Sequence, residues 1–387
     1  MNMLPALLIT FSPMPDFSIG VDLGGTNLRI AAVSTDGELL EKITLGTKLA
    51  LGRDHVLTEM CDAIQRLSAK HNKSGKLLGV GIGVPGVIDM QAGVIRKAAN
   101  LPGWENYPVR AEIERRLQAR VALENDARVA ALGEQWLGAA RGISNVAVVT
   151  LGTGIGGGII LGGKIWHGLN GMAGEFGHIT IEPNGYPCGC GNRGCAERYA
   201  SASAILRMVR EAIASGAAPS LTQAASSDAE FGAKSIYNLA LRGDEHACHI
   251  FRTFGRYLGI LLADIVNVLN LDMYVLGGGV ASAWDAYAPA MFEELRTRSV
   301  VYAATVPADK AEFVWGQALP VQAHPISGAA GSITGSELKT TNAELAATDP
   351  ALRAERRTII TRALLGSDAG LYGAARAAEL AEQKLSD

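Results

Sequence analysis

Long apolar runs are missing from this 387-residue sequence: hydrophobic residues make up 48% of it, yet no stretch reaches the roughly 18 to 20 consecutive apolar residues a membrane span needs. A basic surplus is missing too. With 35 Lys and Arg against 38 Asp and Glu the net charge is −3, which gives no electrostatic reason to expect nucleic acid or an anionic membrane as partner. Cysteine is scarce, five residues in all, three of them in one cluster, which fits a reducing compartment and a cytoplasmic location rather than a disulfide framework. Residues 1–17 lack the basic start and small-residue cleavage site of a secretory signal; Pro5, Pro13 and Pro15 argue against a helix, so this stretch reads as an N-terminal extension. No Walker loop is present, because no glycine turn is followed by Gly-Lys-Ser/Thr.

What is present centres on Gly171 to Ser201. Cys188, Cys190 and Cys195 stand among glycines that let a backbone wrap around a small ion, and His178 lies ten positions upstream of the first. These four make a Cys3His set, the number of donors a closed tetrahedral zinc site requires. Three incidental thiols are a poorer reading, since an apolar core would rarely choose Cys-Gly-Cys-Gly and disulfides cannot satisfy an odd cluster. A zinc with four protein ligands has no open position for water, so the ion is expected to be structural. Glu175 shares a helical-turn face with His178, and Glu197 follows the last cysteine by two. The ion therefore brings two distant carboxylates together, unless Glu197 only caps or salt-bridges a helix starting near Tyr199.

At this length the chain should divide in two, because single cores seldom grow beyond about 250 to 300 residues. Ser18 to Leu40 reads as strand, glycine turn, strand, second turn and third strand, and Ile19 to Val33 aligns without gaps on Ala147 to Leu161. The chain looks like a duplicated domain. Both copies carry a glycine hairpin, Gly24 and Gly25 with Thr26 in the first, Gly152 and Gly154 with Thr153 in the second. Two in matching positions point to phosphate binding, since residues without Cβ let N–H groups approach phosphate oxygens closely. Gly152, Gly154 and Gly157 also match GxGxxG, but an apolar strand follows where a dinucleotide site needs a helix. A third cluster, Gly277, Gly278 and Gly279, ends a strand; it leaves room for a base or ribose, although a plain turn explains it nearly as well.

Between the copies, a strand delivers Asn125 and Asp126 to the mouth of a helix. Asp126 reads either as an N-cap or as a general base at the outgoing end of a strand, where open α/β sheets bind ligands. A helix N-terminus is expected to lower its pKa. Residues 215–233 read as a loop or helix edge, His246 and His249 as surface residues, and the stretch from His249 to Asn270 as a long core helix.

In this order the motifs DLGGTN (22–27), GVGIGVPGVID (79–89), NLPGW (100–104), ENDA (124–127), LGTGIGGG (151–158), GEFGH (174–178), CGCGNRGCAE (188–197) and LGGGV (276–280) resemble the ROK family of sugar kinases and sugar-responsive repressors, most of all its bacterial glucokinases. The resemblance implies the actin-like ATPase fold, an α/β architecture of two duplicated ribonuclease-H-like domains around a cleft. It assigns 18–124, with a C-terminal helix at about 365–387, to a small domain, and 125–364 to a large one holding the zinc loop 178–195. It implies ATP with Mg2+ beside the structural Zn2+. Gly24, Gly25, Thr26 and Asn27 with Gly152, Thr153 and Gly154 would hold the ATP phosphates, Asp22 would help position magnesium, and Gly277 to Gly279 would lie by the nucleoside. Asp126 would take the proton of the sugar 6-hydroxyl, with Asn125, Glu175, His178, Glu197 and the backbone at Gly86 on the other hydroxyls; His178 would serve both zinc and sugar. The wording around Glu197 favours glucose. The alternatives are mannose, fructose or an N-acetylhexosamine as acceptor, polyphosphate as donor, or a sugar-sensing regulator, for which the roughly eighteen residues before the first strand are too few to form a helix-turn-helix. A homodimer is common among relatives and is expected here.

Two features depart from the family pattern. Arg128 stands where a small or amide residue is usual, and the polar stretch at about 316–362 reads as a loop plus a charged helix, an inert insertion.

Overall fold

A computed structural model describes residues 15–73, 75–98, 100–216, 218–228, 230–305 and 358–386. The first half runs β1 (Phe17–Leu23), β2 (Asn27–Ser34), β3 (Leu39–Gly46), α1 (Arg53–His71), β4 (Leu77–Val84), β5 (Val87–Asp89), β6 (Val94–Lys97), α2 (Val109–Leu117), β7 (Val121–Asn125) and α3 (Asp126–Trp136). The second runs β8 (Val146–Leu151), β9 (Ile155–Leu161), β10 (Lys164–Ile165), α4 (Ala202–Ala214), α5 (Pro219–Ser227), α6 (Ala233–Leu241), α7 (Glu245–Leu269), β11 (Met273–Gly277), α8 (Trp284–Arg298), α9 (Val300–Thr305), β12 (Ile359–Arg362) and α10 (Ala369–Ser386).

Each half builds the same five-stranded sheet, in the orders β3-β2-β1-β4-β7 and β10-β9-β8-β11-β12. In both, the first three strands form an antiparallel meander and the last two add in parallel beside the first. The expected duplication is therefore one of topology as well as sequence. It also corrects the ungapped alignment: Leu23 pairs with Leu28 across the first hairpin, whereas Leu151 pairs with Ile155 across the second. The second turn is one residue shorter, so the copies stay in register along β1 and β8 and slip by one along β2 and β9.

The first core lies between one face of the first sheet and α1, whose Val56, Leu57, Met60, Ile64 and Leu67 recur at helical spacing. The other face receives α10, which also packs on α3. The contact is close because Gly81 has no side chain: a Cβ there would run into the Ala374 carbonyl. The largest core joins α7, α8 and the second sheet through Phe251, Phe254, Leu258, Tyr287 and Met291. Meanwhile α3, which starts at the end of β7 in the first sheet, packs on β8 and β9 of the second.

Three expectations change. Phe17, placed in the extension, is 1% exposed and begins β1. Residues 219–227 form a helix, α5, started by Pro219 at its first turn. Residues 359–362, the end of the expected insertion, are strand β12, paired in parallel with β11. The rest of that insertion from residue 316, and residues 1–14, lie outside the described residues. No described helix is long and apolar enough to cross a membrane.

Candidate active site and metal centre

Strands β4 and β7 end side by side, with Val84 opposite Asn125, and this places the Pro85-Gly86 turn against the start of α3. Asn125 caps that helix: its Oδ1 accepts from the N–H groups of Ala127 at 3.0 Å and Arg128 at 3.3 Å, while its Nδ2 donates to the Gly86 carbonyl at 3.2 Å. The cap is Asn125, not Asp126. Asp126 occupies the first helical position, half-buried, with Oδ1 accepting from Ala127 N–H at 2.9 Å. Burial pushes its pKa from 3.8 up to about 6; the Ala127 N–H and Arg128 pull it down, while Asp22 and Glu175 push it further up. The expectation of a lowered pKa fails because desolvation and two neighbouring carboxylates outweigh the helix terminus.

Glu175 caps a single 3-10 turn, Phe176–His178, that ends at His178, with Glu175 Oε2 4.0 Å from His178 Nε2. The other ring nitrogen, Nδ1, lies 3.7 Å from Cys188 Sγ, and Cys190 Sγ lies 3.7 Å from Cys195 Sγ. Ligand atoms of His178, Cys188, Cys190 and Cys195 all fall within 4.8 Å of one another. A tetrahedron with Zn–S bonds of about 2.3 Å has S···S edges of about 3.8 Å, so the donor set fits zinc in kind and in spacing. A knuckle closed by Cys188 N–H to Asn192 O at 2.8 Å and Gly191 N–H to Cys188 O at 3.1 Å presents the thiols to one point.

Glu197 lies in a second 3-10 turn, Ala196–Arg198, and the helix expected near Tyr199 begins at Ala202 instead. One carboxylate oxygen of Glu197 stands 3.1 Å from Cys188 Sγ and 3.8 Å from His178 Nδ1. The other packs on Gly154, where a Cβ would come within 2.5 Å of it. Cysteine cluster and second glycine hairpin are thus in contact through Glu197.

Both hairpins are braced from outside. In the first, Gly24 N–H donates to Asn27 O at 2.9 Å, and Thr47 holds it twice, Oγ1 to Gly24 O at 2.7 Å and N–H to Thr26 O at 2.9 Å. In the second, Gly152 N–H donates to Gly154 O at 3.0 Å, Ala202 N–H to Gly152 O at 2.9 Å and Ser203 Oγ to Thr153 O at 2.7 Å. Thr47 and Ser203 carry no sequence signal. Asp22 sits opposite Arg29 and pairs with it at 2.9 Å; burial still raises its pKa, against the pull of Arg29. Gly277 pairs with Thr150, and Gly278, at φ +84°, lies against Leu151, where a Cβ would stand 2.5 Å from the carbonyl oxygen. Gly278→Ala therefore forces both a left-handed backbone and a backbone collision, a cost of roughly 3 kcal/mol that should lower the thermal midpoint by several degrees in a calorimetric scan.

Two duplicated halves of this topology, each with a glycine hairpin after its first strand, define an actin-like ATPase fold. The ROK family matches residues 18–322, and the chain belongs to that family. It is 39% identical to a glucokinase of Halalkalibacterium halodurans, over 76% of this chain and 88% of that one. It is 30% identical to a xylose repressor of Caldicellulosiruptor bescii, over 73% of this chain and 71% of that one. A crystal structure of a ROK family glucokinase from Streptomyces griseus in complex with glucose and AMPPNP superposes with a TM-score of 0.66 at 30% identity, covering 93% of this chain and 98% of that one.

Proposed function

We propose that this protein is an ATP-dependent glucokinase that phosphorylates the 6-hydroxyl, with Asp126 as general base. One feature carries the chemistry: a half-buried carboxylate at the mouth of α3 beside Asn125, Gly86 and Glu175, whose burial pushes its pKa up to about 6. The proton of the sugar 6-hydroxyl passes to Asp126 as its oxygen bonds to the γ-phosphorus, and the bond from that phosphorus to the bridging oxygen breaks, releasing ADP. Asn125, Glu175, His178, Glu197 and the Gly86 backbone hold the remaining hydroxyls. Gly24 to Asn27 and Gly152 to Gly154 offer N–H groups to the phosphates, and Gly277 to Gly279 flank the nucleoside. Asp22 would help position magnesium, which would screen charge between the phosphates. His178, Cys188, Cys190 and Cys195 would hold zinc, which would fix the His178 ring and leave its Nε2 for the sugar.

The glucokinase match spans more of that relative than the repressor match does of its own. That favours the enzyme over a regulator. Product analysis tests the reading: with glucose and magnesium ATP, phosphorus NMR should show a 6-phosphate and ADP. Faster turnover of mannose, fructose or N-acetylglucosamine, or of polyphosphate as donor, would replace glucose or ATP.

The pH dependence follows from Asp126. Its acid form cannot accept the hydroxyl proton, so kcat/KM should fall as pH drops through about 6, not near the 3.8 of an ordinary aspartate. An acid limb near 4 would argue against Asp126 as the base.

A further inference from the structure

Glu124, the last-but-one residue of β7, and Arg128, in the first turn of α3, are 4% and 3% exposed, a buried ion pair. Glu124 is used on every side. Its Oε1 accepts from Arg128 Nε at 2.7 Å and from Asn125 N–H at 2.8 Å, and its Oε2 accepts from His167 Nε2 at 2.6 Å. Burial alone would raise its pKa, but the His167 hydrogen bond and the Arg128 charge hold it below the ordinary value, which keeps it ionised at neutral pH. His167 belongs to the other half of the molecule, in the segment that leaves β10 and runs to Glu175. Its carbonyl accepts from Ala173 N–H at 3.1 Å, and the Ala173 carbonyl faces Arg128 Nη1 at 3.4 Å. A closed polar circuit therefore joins the strand end that carries Asn125 and Asp126 to the segment that carries Glu175.

A buried ion pair is weak support for stability, because desolvation offsets much of the attraction; fixing one geometry is its better-attested use. We propose that Glu124, Arg128 and His167 form a latch that holds the 167–175 segment against α3, making Arg128 and His167 positioning residues for the hexose carboxylate Glu175. They touch no reacting atom. Their effect is on where Glu175 stands relative to Asn125 and Asp126, and so on sugar affinity rather than on the phosphate hairpins. This rests on the hexose-site reading above.

His167 gives the safer variant, because its side chain is 40% exposed and its loss leaves no buried void. His167→Ala should raise the KM for glucose about tenfold, the loss expected for one hydrogen bond to a charged group, with kcat and the KM for ATP within about twofold. His167→Gln, whose amide can donate to Glu124, should recover most of the loss. Hydrogen exchange in peptides covering 168–178 should quicken in His167→Ala and not in His167→Gln, with zinc content unchanged in both. The latch is overturned if exchange there is unaltered, or if the KM values for glucose and ATP rise together. Should the wild-type enzyme turn over no hexose, the kinase reading fails, and the exchange measurement still decides the latch.

Discussion

Asp126→Ala should lower kcat by roughly 10^3-fold while glucose still binds within a few-fold of wild type, the loss expected when a positioned base is removed. Calorimetric titration of glucose separates the two effects. The other residues proposed to hold the sugar, Asn125 beside the Gly86 carbonyl and Glu175 with His178 at the 3-10 turn, do not depend on the Asp126 side chain for their positions. Asp126→Asn adds a stability reading. A raised carboxylate pKa means that Asp126 contributes stability when protonated, fully below its ordinary 3.8, and loses that contribution as pH rises through about 6. Above that pH the ionised group strains the fold, so Asp126→Asn should melt higher than wild type at pH 8 and show a smaller difference at pH 4.5. Such a trade of stability for a usable base is what a catalytic position leads one to expect.

Cys195→Ser should have the second large effect. Cys195 is fully buried, and the backbone that follows it leads directly to Glu197, to Ser201, whose hydroxyl donates to the Glu197 carbonyl at 2.6 Å, and to Ala202 and Ser203, which brace the second hairpin. Weakening the proposed metal centre should therefore loosen Glu197, a proposed sugar ligand, and the second glycine hairpin together. Structural zinc contributes several kcal/mol of folding free energy, so a drop of about 10 °C in the thermal midpoint is expected. Metal analysis should give one zinc per wild-type chain and a small fraction of that in the variant, with glucose affinity reduced more than about tenfold. Wild-type protein free of zinc yet binding glucose normally would contradict the role given to the cluster.

The residues that announce themselves in the sequence are those whose chemistry is unusual at their spacing. Cys-Gly-Cys-Gly with His178 upstream and the paired glycine hairpins stand out in the sequence alone. The braces did not, because each depends on a pairing between distant segments: Thr47 ends up on Gly24 through the β2–β3 register, and His167 reaches Glu124 across the two halves. The one-residue slip between the copies was hidden because glycines fill both turns, leaving nothing to mark where one is shorter. Helix α5 lies in the segment that reads as a loop or helix edge because its polar, alanine-rich sequence has a single buried apolar residue, Leu221, and so no apolar stripe to read. Strand β12 was hidden by its brevity at the end of a polar stretch. For Asp126 the helix terminus was legible and the burial was not, and burial decided the sign of the shift.

The most direct measurement compares ADP release with glucose and with 6-deoxyglucose, at saturating magnesium ATP. The account predicts turnover with glucose and none with 6-deoxyglucose, which should nevertheless compete with glucose because the account assigns its other hydroxyls to Asn125, Glu175, His178 and Glu197. ADP release that persists with 6-deoxyglucose, or none with glucose, would contradict phosphorylation at the 6-hydroxyl and with it the role of Asp126.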